Sequence, residues 1–166
     1  MRHVARKAGI RTKQVYVEQL CAMSALTRDP RGRVIAIAYL ALVPWEELSE
    51  TERSDSLESW WQPVARLPHL AYDHDEIVAI ARKRLTSRAT YTTLMRTLMP
   101  LEFTLPDLER AYGAVLGKPV DRRNFRKKLA KLDILKTLSH KKRGGAHRPA
   151  QLYRFKGKNV VEIEVI

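Results

Sequence analysis

Two short helices with marked ends, followed by two strands, form the pattern that most restricts the fold of this chain. The first helix is predicted over residues 104–117, "TLPDLERAYGAVLG", because Thr104 and Asp107 have the spacing of a capping box and Gly117 can end a helix. After the turn "KPV", a second helix is predicted over residues 122–133, "RRNFRKKLAKLD". Two short helices joined by such a turn are typical of a helix-turn-helix.

The segment after the second helix predicts a β-hairpin. Residues 134–138, "ILKTL", and residues 150–155, "AQLYRF", have the composition of short strands, and the basic loop "SHKKRGGAHRP" joins them. A helix-turn-helix followed by a hairpin with a basic tip is a winged helix-turn-helix. We therefore predict a DNA-binding domain of this kind over residues 89–158.

The distribution of charge supports a polyanionic partner. The chain of 166 residues has a formal net charge of +13. Between Lys118 and Lys158 it carries 15 Lys and Arg residues but only two acidic residues, whereas the remainder has 16 of each sign. The whole excess therefore lies in one segment, which favours nucleic acid as the partner, with an acidic membrane surface as the second choice.

The second helix carries most of the residues predicted to bind DNA. Phe125, Leu129 and Leu132 have helical spacing and predict a core-facing stripe, which leaves the basic residues on the other side. Arginine and asparagine can read base edges, and lysine suits phosphate. The predicted DNA-binding residues of the helix and the wing are Arg122, Arg123, Asn124, Arg126, Lys127, Lys131, Lys141, Lys142, Arg143 and Arg148.

A plainer interpretation of these cations stays open. A charge run is often only a solvated helix face, although such a face usually mixes both signs. Within the helix, Arg122 and Lys128 could be structural partners of Asp121 or Asp107 rather than DNA contacts.

The first half of the chain predicts a different kind of structure. Residues 14–20 alternate like a strand, and the apolar residues 34–43 predict a strand buried on both faces, so that the two would form a hairpin. The polar residues 44–58 predict a loop or a short exposed helix, and residues 71–88 a connecting helix. The last residues, 159–166, alternate like an edge strand or form a tail. The fold class is α+β.

Several classes of protein are excluded by composition. The single cysteine, Cys21, cannot form an internal disulfide, and the scattered histidines do not supply a zinc site, so we predict no metal and no cofactor. The longest apolar run, residues 34–44, is too short to span a bilayer, and no signal peptide is recognisable. We expect no membrane association and a cytoplasmic location.

The opening residues 2–10, "RHVARKAGI", predict a helix and resemble part of the Nudix signature, G-x5-E-x7-R-E-U-x-E-E-x-G-U, in which U is a bulky aliphatic residue. The positions that match are Arg2, Val4, Gly9 and Ile10. His3, Arg6 and Lys7 stand where the family has metal-binding glutamates, and basic side chains cannot ligate Mg²⁺. The first half of the signature would precede Met1, so either the native start lies upstream or the Nudix-like part is incomplete. The resemblance implies a protein that is not an enzyme.

Longer segments resemble the Nudix-related transcriptional regulators in order and spacing. They include "RDPRGRVIAIAYLALVP", "WWQPVARLPHLAYDHDEIVAIARKRL" and "FTLPDLERAYGAVLGKPVDRRNFRKKL". The resemblance implies a truncated, non-catalytic Nudix-like domain with a partial mixed sheet and a helix (1–70), a connecting helix (71–88) and a winged helix-turn-helix (89–158). It also implies a homodimer that binds a palindromic operator in double-stranded DNA and responds to a nucleotide-like effector such as ADP-ribose.

Three loop arginines are candidates for binding such an effector. Arg28, Arg31 and Arg33 could contact its phosphates, but a role in stabilising their own loop with Asp29 is an equally open interpretation. Two other functions also stay open: a Nudix hydrolase acting on ADP-ribose, and a nucleic-acid-binding protein without sequence specificity.

Overall fold

A computed structural model describes residues 9–10, 15–54, 61–142 and 149–163, with the side chains of Lys141 and Lys142 left out. The chain divides into two compact units, Met1–Arg84 and Leu85–Ile166. Helices and antiparallel strands occur in separate stretches of the chain, which confirms the predicted α+β class. The helix predicted over residues 2–10 lies outside the described residues except at its end, where Gly9 has a φ of 68°.

The first unit contains the predicted hairpin. Strand β1 (Tyr16–Met23) pairs antiparallel with strand β2 (Ala36–Leu42), with a bulge between Gln19 and Cys21. The prediction that the second strand is buried on both faces is wrong, because Ile37 is 48% and Tyr39 60% exposed. Within the described residues β2 pairs only with β1, and this pairing is antiparallel.

A capped helical turn lies in the polar stretch after β2. A 3-10 turn at Trp45–Glu47 precedes the short helix α1 (Glu50–Arg53). The Ser49 hydroxyl accepts from the Glu52 amide at 3.3 Å, and the Glu52 carboxylate accepts from the Ser49 amide at 2.8 Å. The prediction of a loop or short exposed helix is thus resolved in favour of the helix, and residues 55–58 lie outside the described part of the chain.

The long helix α2 (His74–Tyr91) forms where a helix is predicted, but it starts and ends three residues later. Tyr72 has a φ of 58°, in the left-handed region, so a right-handed helix cannot include it. Five of its apolar residues are half-buried, namely Ile77, Val78, Ile80, Ala81 and Leu85. Beyond it, the Ile163 amide donates to the Tyr91 carbonyl at 2.7 Å, so the tail pairs with its own chain as an isolated bridge.

The two helices predicted from their capping residues are both present in the second unit. Helix α3 (Leu105–Leu116) has the predicted capping box between Thr104 and Asp107, and Gly117 ends it with a φ of 70°. Helix α4 (Arg122–Leu132) begins at Asp121, whose carboxylate accepts from the Asn124 amide at 2.9 Å. The helix starts predicted from the sequence were accurate because Thr104 and Asp121 each accept a hydrogen bond from a backbone N–H group of the first turn.

The predicted wing is present as well, with one strand segment more than expected. Strand β3 (Leu135–Lys142) pairs antiparallel with β4 (Ala150–Phe155). Phe103 adds to the other edge of β4. Its amide donates to the Tyr153 carbonyl at 3.0 Å, and its carbonyl accepts from the Tyr153 amide at 2.8 Å. The tip, residues 143–148, lies outside the described residues, and with it the predicted DNA contacts of Arg143 and Arg148.

The core of the second unit joins the helix pair to the wing. The ring of Tyr112 on α3 meets the ring of Phe125 on α4 with centroids 4.9 Å apart, and Phe103 meets Phe155 of the wing at 5.3 Å. Leu108 and Leu129 complete the same buried cluster. Because both helices and the wing contribute to one core, packing determines which face of α4 is buried.

Candidate nucleic-acid interface

The buried stripe of helix α4 determines which residues face solvent. Phe125 and Leu129 are buried and Leu132 is half-buried, which confirms the predicted core face. At 3.6 residues per turn, Arg123 and Lys127 lie almost opposite Phe125. Both are exposed, so the most outward line of the helix consists of cations.

The outward cations of α4 are not neutralised by any residue that the structure describes. In the described parts of the protein, Arg123, Lys127 and Lys131 have no hydrogen-bond acceptor or ion-pair partner. A solvated helix face would normally offer acidic neighbours three or four residues away. These guanidinium and ammonium groups can therefore bind an external anion without breaking an internal contact.

Two other arginines of α4 behave differently, because both approach the buried residue Glu109 of α3. Arg126 Nε donates to Glu109 Oε1 at 2.6 Å, and Arg122 Nε lies 3.6 Å from Glu109 Oε2. Sequence reasoning missed Glu109. A signal existed, since Glu109 is four residues after Leu105 and three before Tyr112, at a position of the helix that faces the core.

The strands of the wing place further cations on the surface of the second unit. Lys136 and Arg154 lie directly opposite each other in the β3–β4 register, and both are exposed. Like charges directly opposite in a sheet are unfavourable, and a bound anion relieves the repulsion. The sequence prediction did not include this pair. Of the predicted wing residues, Lys141 and Lys142 lie at the end of β3, opposite Gln151 and Ala150.

The three loop arginines of the first unit have different surroundings. Arg28 donates from Nε and Nη2 to the two carboxylate oxygens of Asp73 at 2.7 and 2.9 Å. Arg31 binds Asp29, whereas Arg33 is exposed and has no partner among the described residues. The alternative of stabilising the loop with Asp29 therefore has direct support at Arg31. Arg28 pairs with Asp73 instead, directly before helix α2.

The hydrogen bonds that these arginines donate also lower the proton affinity of the carboxylates of Asp29 and Asp73. Those from Arg31 lower the pKa of Asp29 to about 2, and the hydrogen bond from Arg28 lowers the pKa of Asp73. A carboxyl group with a depressed pKa stabilises the folded state above its ordinary pKa near 4, and that contribution is lost as the pH falls through the folded value.

This linkage predicts that Asp29→Asn lowers the stability of the folded state by an amount that depends on pH. We expect the variant to have a lower urea midpoint than the parent protein at pH 6 and the difference to shrink between pH 4 and pH 2. Tryptophan fluorescence measures it selectively, because all three tryptophans precede residue 85. The exposed Glu46 provides the control Glu46→Gln, which should change the midpoint little at any pH. If the urea midpoint of Asp29→Asn lies equally far below that of the parent protein at pH 6 and at pH 2, the linkage is contradicted.

Neither a metal site nor a membrane span is found in the described part of the chain. No group of three or more His, Cys, Asp or Glu side chains is arranged there to hold a metal ion. No described helix is both long enough and apolar enough to cross a bilayer.

Comparison with known proteins identifies the family. Residues 95–155 match the NrtR DNA-binding winged helix domain. The crystal structure of Shewanella oneidensis NrtR matches with a TM-score of 0.77 and 34% identity, over 93% of this chain and 70% of that one. The chain belongs to the NrtR family. The resemblance to Nudix-related transcriptional regulators is thereby confirmed.

A second structure of the same protein, a curated relative and a more distant structure extend the comparison. Shewanella oneidensis NrtR complexed with a 27mer DNA matches with a TM-score of 0.78 and 34% identity, over 93% of this chain and 70% of that one. The "ADPR responsive transcriptional repressor NtrR" of Acinetobacter baylyi is 32% identical over 155 residues, which are 93% of this chain. This chain spans 61% of that relative's length. A MutT/nudix family protein from Enterococcus faecalis is 22% identical, with a TM-score of 0.64 over 94% of this chain and 68% of that one, and supports the fold alone.

Proposed function

We propose that this protein is a transcriptional regulator that binds a palindromic operator in double-stranded DNA as a homodimer, through helix α4 and the wing. The observation that carries the proposal is the line of cations formed by Arg123 and Lys127. They have no partner among the described residues, and the opposite face of their helix is held in the core. The complex of Shewanella oneidensis NrtR with DNA supports it from a relative.

The proposed contacts fall into two groups. Arg123, Asn124 and Arg126 read base edges in the major groove, because arginine and asparagine can form bidentate contacts with guanine and adenine. The remaining predicted residues bind the sugar-phosphate backbone or the minor groove and position the helix. These are Arg122, Lys127, Lys131, Lys141, Lys142, Arg143 and Arg148.

The proposal includes the domain organisation and a cytoplasmic location. Residues 1–70 would form the Nudix-like sensor, residues 71–88, which contain most of helix α2, the connection, residues 89–158 the DNA-binding domain, and residues 159–166 the tail. ADP-ribose is the proposed effector, supported by the name of the Acinetobacter relative, an ADPR responsive repressor. Among the three loop arginines, Arg33 is the one that can meet a phosphate without breaking a described ion pair.

Competition between DNA duplexes tests whether binding is sequence-specific. A regulator should hold its preferred duplex when random DNA is added in excess, whereas a general nucleic-acid binder should be displaced in proportion to the competitor. Binding should be measured at several salt concentrations, because phosphate contacts make the affinity of either kind of protein fall with salt. Equal affinity for the selected and random duplexes at every salt concentration would contradict the proposal.

The proposed regulator is not a hydrolase. The Nudix signature that residues 2–10 resemble has metal-binding glutamates at the positions of His3, Arg6 and Lys7. Cationic side chains at such positions repel Mg²⁺. We therefore expect no release of AMP when the purified protein is incubated with ADP-ribose and Mg²⁺ or Mn²⁺. Chromatography of the reaction mixture measures this, with an active ADP-ribose pyrophosphatase as the positive control. Metal-dependent AMP release that disappears when a glutamate of this chain is replaced would contradict the expectation.

A further inference from the structure

Glu109 is a buried carboxylate inside a strongly basic domain. Its side chain is 6% exposed, whereas that of Arg126 is 47% exposed. A buried charge is costly unless it is paired and hydrogen-bonded, so the contact with Arg126 satisfies a strong requirement of the core. That contact joins α3 to α4, the helix proposed above to enter the major groove.

The atoms involved leave the outer end of Arg126 available. The described hydrogen bond uses Nε, at 2.6 Å from Glu109 Oε1. A guanidinium has five N–H donors, and one from each of Nη1 and Nη2 points to the end of the group away from Nε. A bidentate contact with guanine requires two such donors held in one plane. Anchoring through Nε therefore orients the planar group without using the Nη1–Nη2 edge.

Arg122 approaches the other oxygen of the same carboxylate. Its Nε lies 3.6 Å from Glu109 Oε2, beyond hydrogen-bonding distance, and its side chain is largely exposed. The carboxylate thus faces two guanidinium groups one helical turn apart on α4 but holds only Arg126 closely. This asymmetry favours Arg126 as the residue whose orientation depends on Glu109.

We propose that Glu109 is a positioning residue for DNA recognition, which fixes the Arg126 guanidinium so that its outer edge meets one guanine in each half-site. The proposal rests on the function proposed above. Binding DNA with an already oriented arginine avoids the loss of side-chain entropy that a free arginine would undergo. In this proposal Glu109 does not contact DNA. Its replacement should therefore change base preference only at the base pair that Arg126 reads.

The test compares base preference, position by position, for the parent protein and four variants. Arg126→Ala should lower affinity for the preferred duplex roughly 5- to 150-fold and remove the preference at one position per half-site. Glu109→Ala should remove the same preference, and the double variant should resemble Arg126→Ala alone. Glu109→Gln keeps an oxygen that can accept from Nε and should retain part of the preference.

Controls separate positioning from folding and from the proposed function. Glu102→Gln changes an exposed carboxylate of the same unit and should leave every position unchanged. Thermal unfolding measures stability for each variant, and if Glu109→Ala does not fold, Glu109→Gln decides the question. An unchanged base-preference profile in a folded Glu109 variant would overturn the inference, as would a loss of affinity equal for all duplexes. If the parent protein itself prefers no sequence, it is the proposed function that fails.

Discussion

Replacing Phe125 by alanine should destabilise the second unit by about 3–5 kcal/mol, the usual cost of removing a buried aromatic side chain. Phe125 is buried, and its ring lies against Tyr112 with centroids 4.9 Å apart. The substitution would leave a cavity between α3 and α4 at the place that sets the orientation of α4. Since domains are commonly stable by only about 5–15 kcal/mol, DNA binding should be weakened severely as well.

Urea denaturation followed by far-ultraviolet circular dichroism measures this effect. The control is Leu101→Ala, because Leu101 is 66% exposed in the same unit and should cost little when truncated. Tryptophan fluorescence reports on the first unit, which contains all three tryptophans, and its transition should move much less. If Phe125→Ala is no more destabilising than Leu101→Ala, the described packing of α4 is wrong.

Replacing Arg123 by alanine should have the second largest effect, a loss of about 1–3 kcal/mol in binding to the preferred duplex. Arg123 is exposed, lies almost opposite Phe125 on α4, and has no partner among the described residues. Its removal should therefore leave the stability of the protein unchanged. It should also relax the base preference at one position per half-site, as measured by titrating duplexes that differ at single positions.

Lys141→Ala is the matched control, because it removes one positive charge from the wing rather than from the helix. It should weaken binding to all duplexes alike and reduce the dependence of log K on log salt by about one. If Arg123→Ala folds and keeps both full affinity and unchanged base preference, α4 is not the element that reads sequence.

The parts of the fold that the sequence predicted well are those whose signals are local. Thr104, Asp107 and Gly117 mark the ends of α3 through contacts within a few residues, and the stripe beginning at Phe125 shows which side of α4 is buried. The wing was recognisable because two strand-like segments flank a basic loop. In each case the residues that specify the element lie inside it or beside it.

The features that were missed depend on residues distant in the chain. An apolar run such as that of β2 does not reveal how many strands will pair with it, so its burial on both faces was wrongly predicted. Arg28 pairs with Asp73, 45 residues later in the sequence. The bridge between Phe103 and Tyr153 involves a single residue on each side, so no alternating pattern in the sequence could predict it. Glu109 is an exception, because its spacing from Leu105 and Tyr112 marks a position that faces the core. It was missed because an acidic residue on a helix is usually assumed to face solvent.

The central claim is that this chain reads a specific DNA sequence through helix α4 of its winged helix. Selection of bound duplexes from a random DNA pool tests it most directly, with Arg123→Ala selected in parallel. We predict that the parent protein enriches one palindromic motif, with half-sites centred about 10 base pairs or a multiple apart, and that the variant loses preference at one symmetric pair of positions. Enrichment of no motif by the folded parent protein, or of the same motif with undiminished preference by Arg123→Ala, would contradict the account.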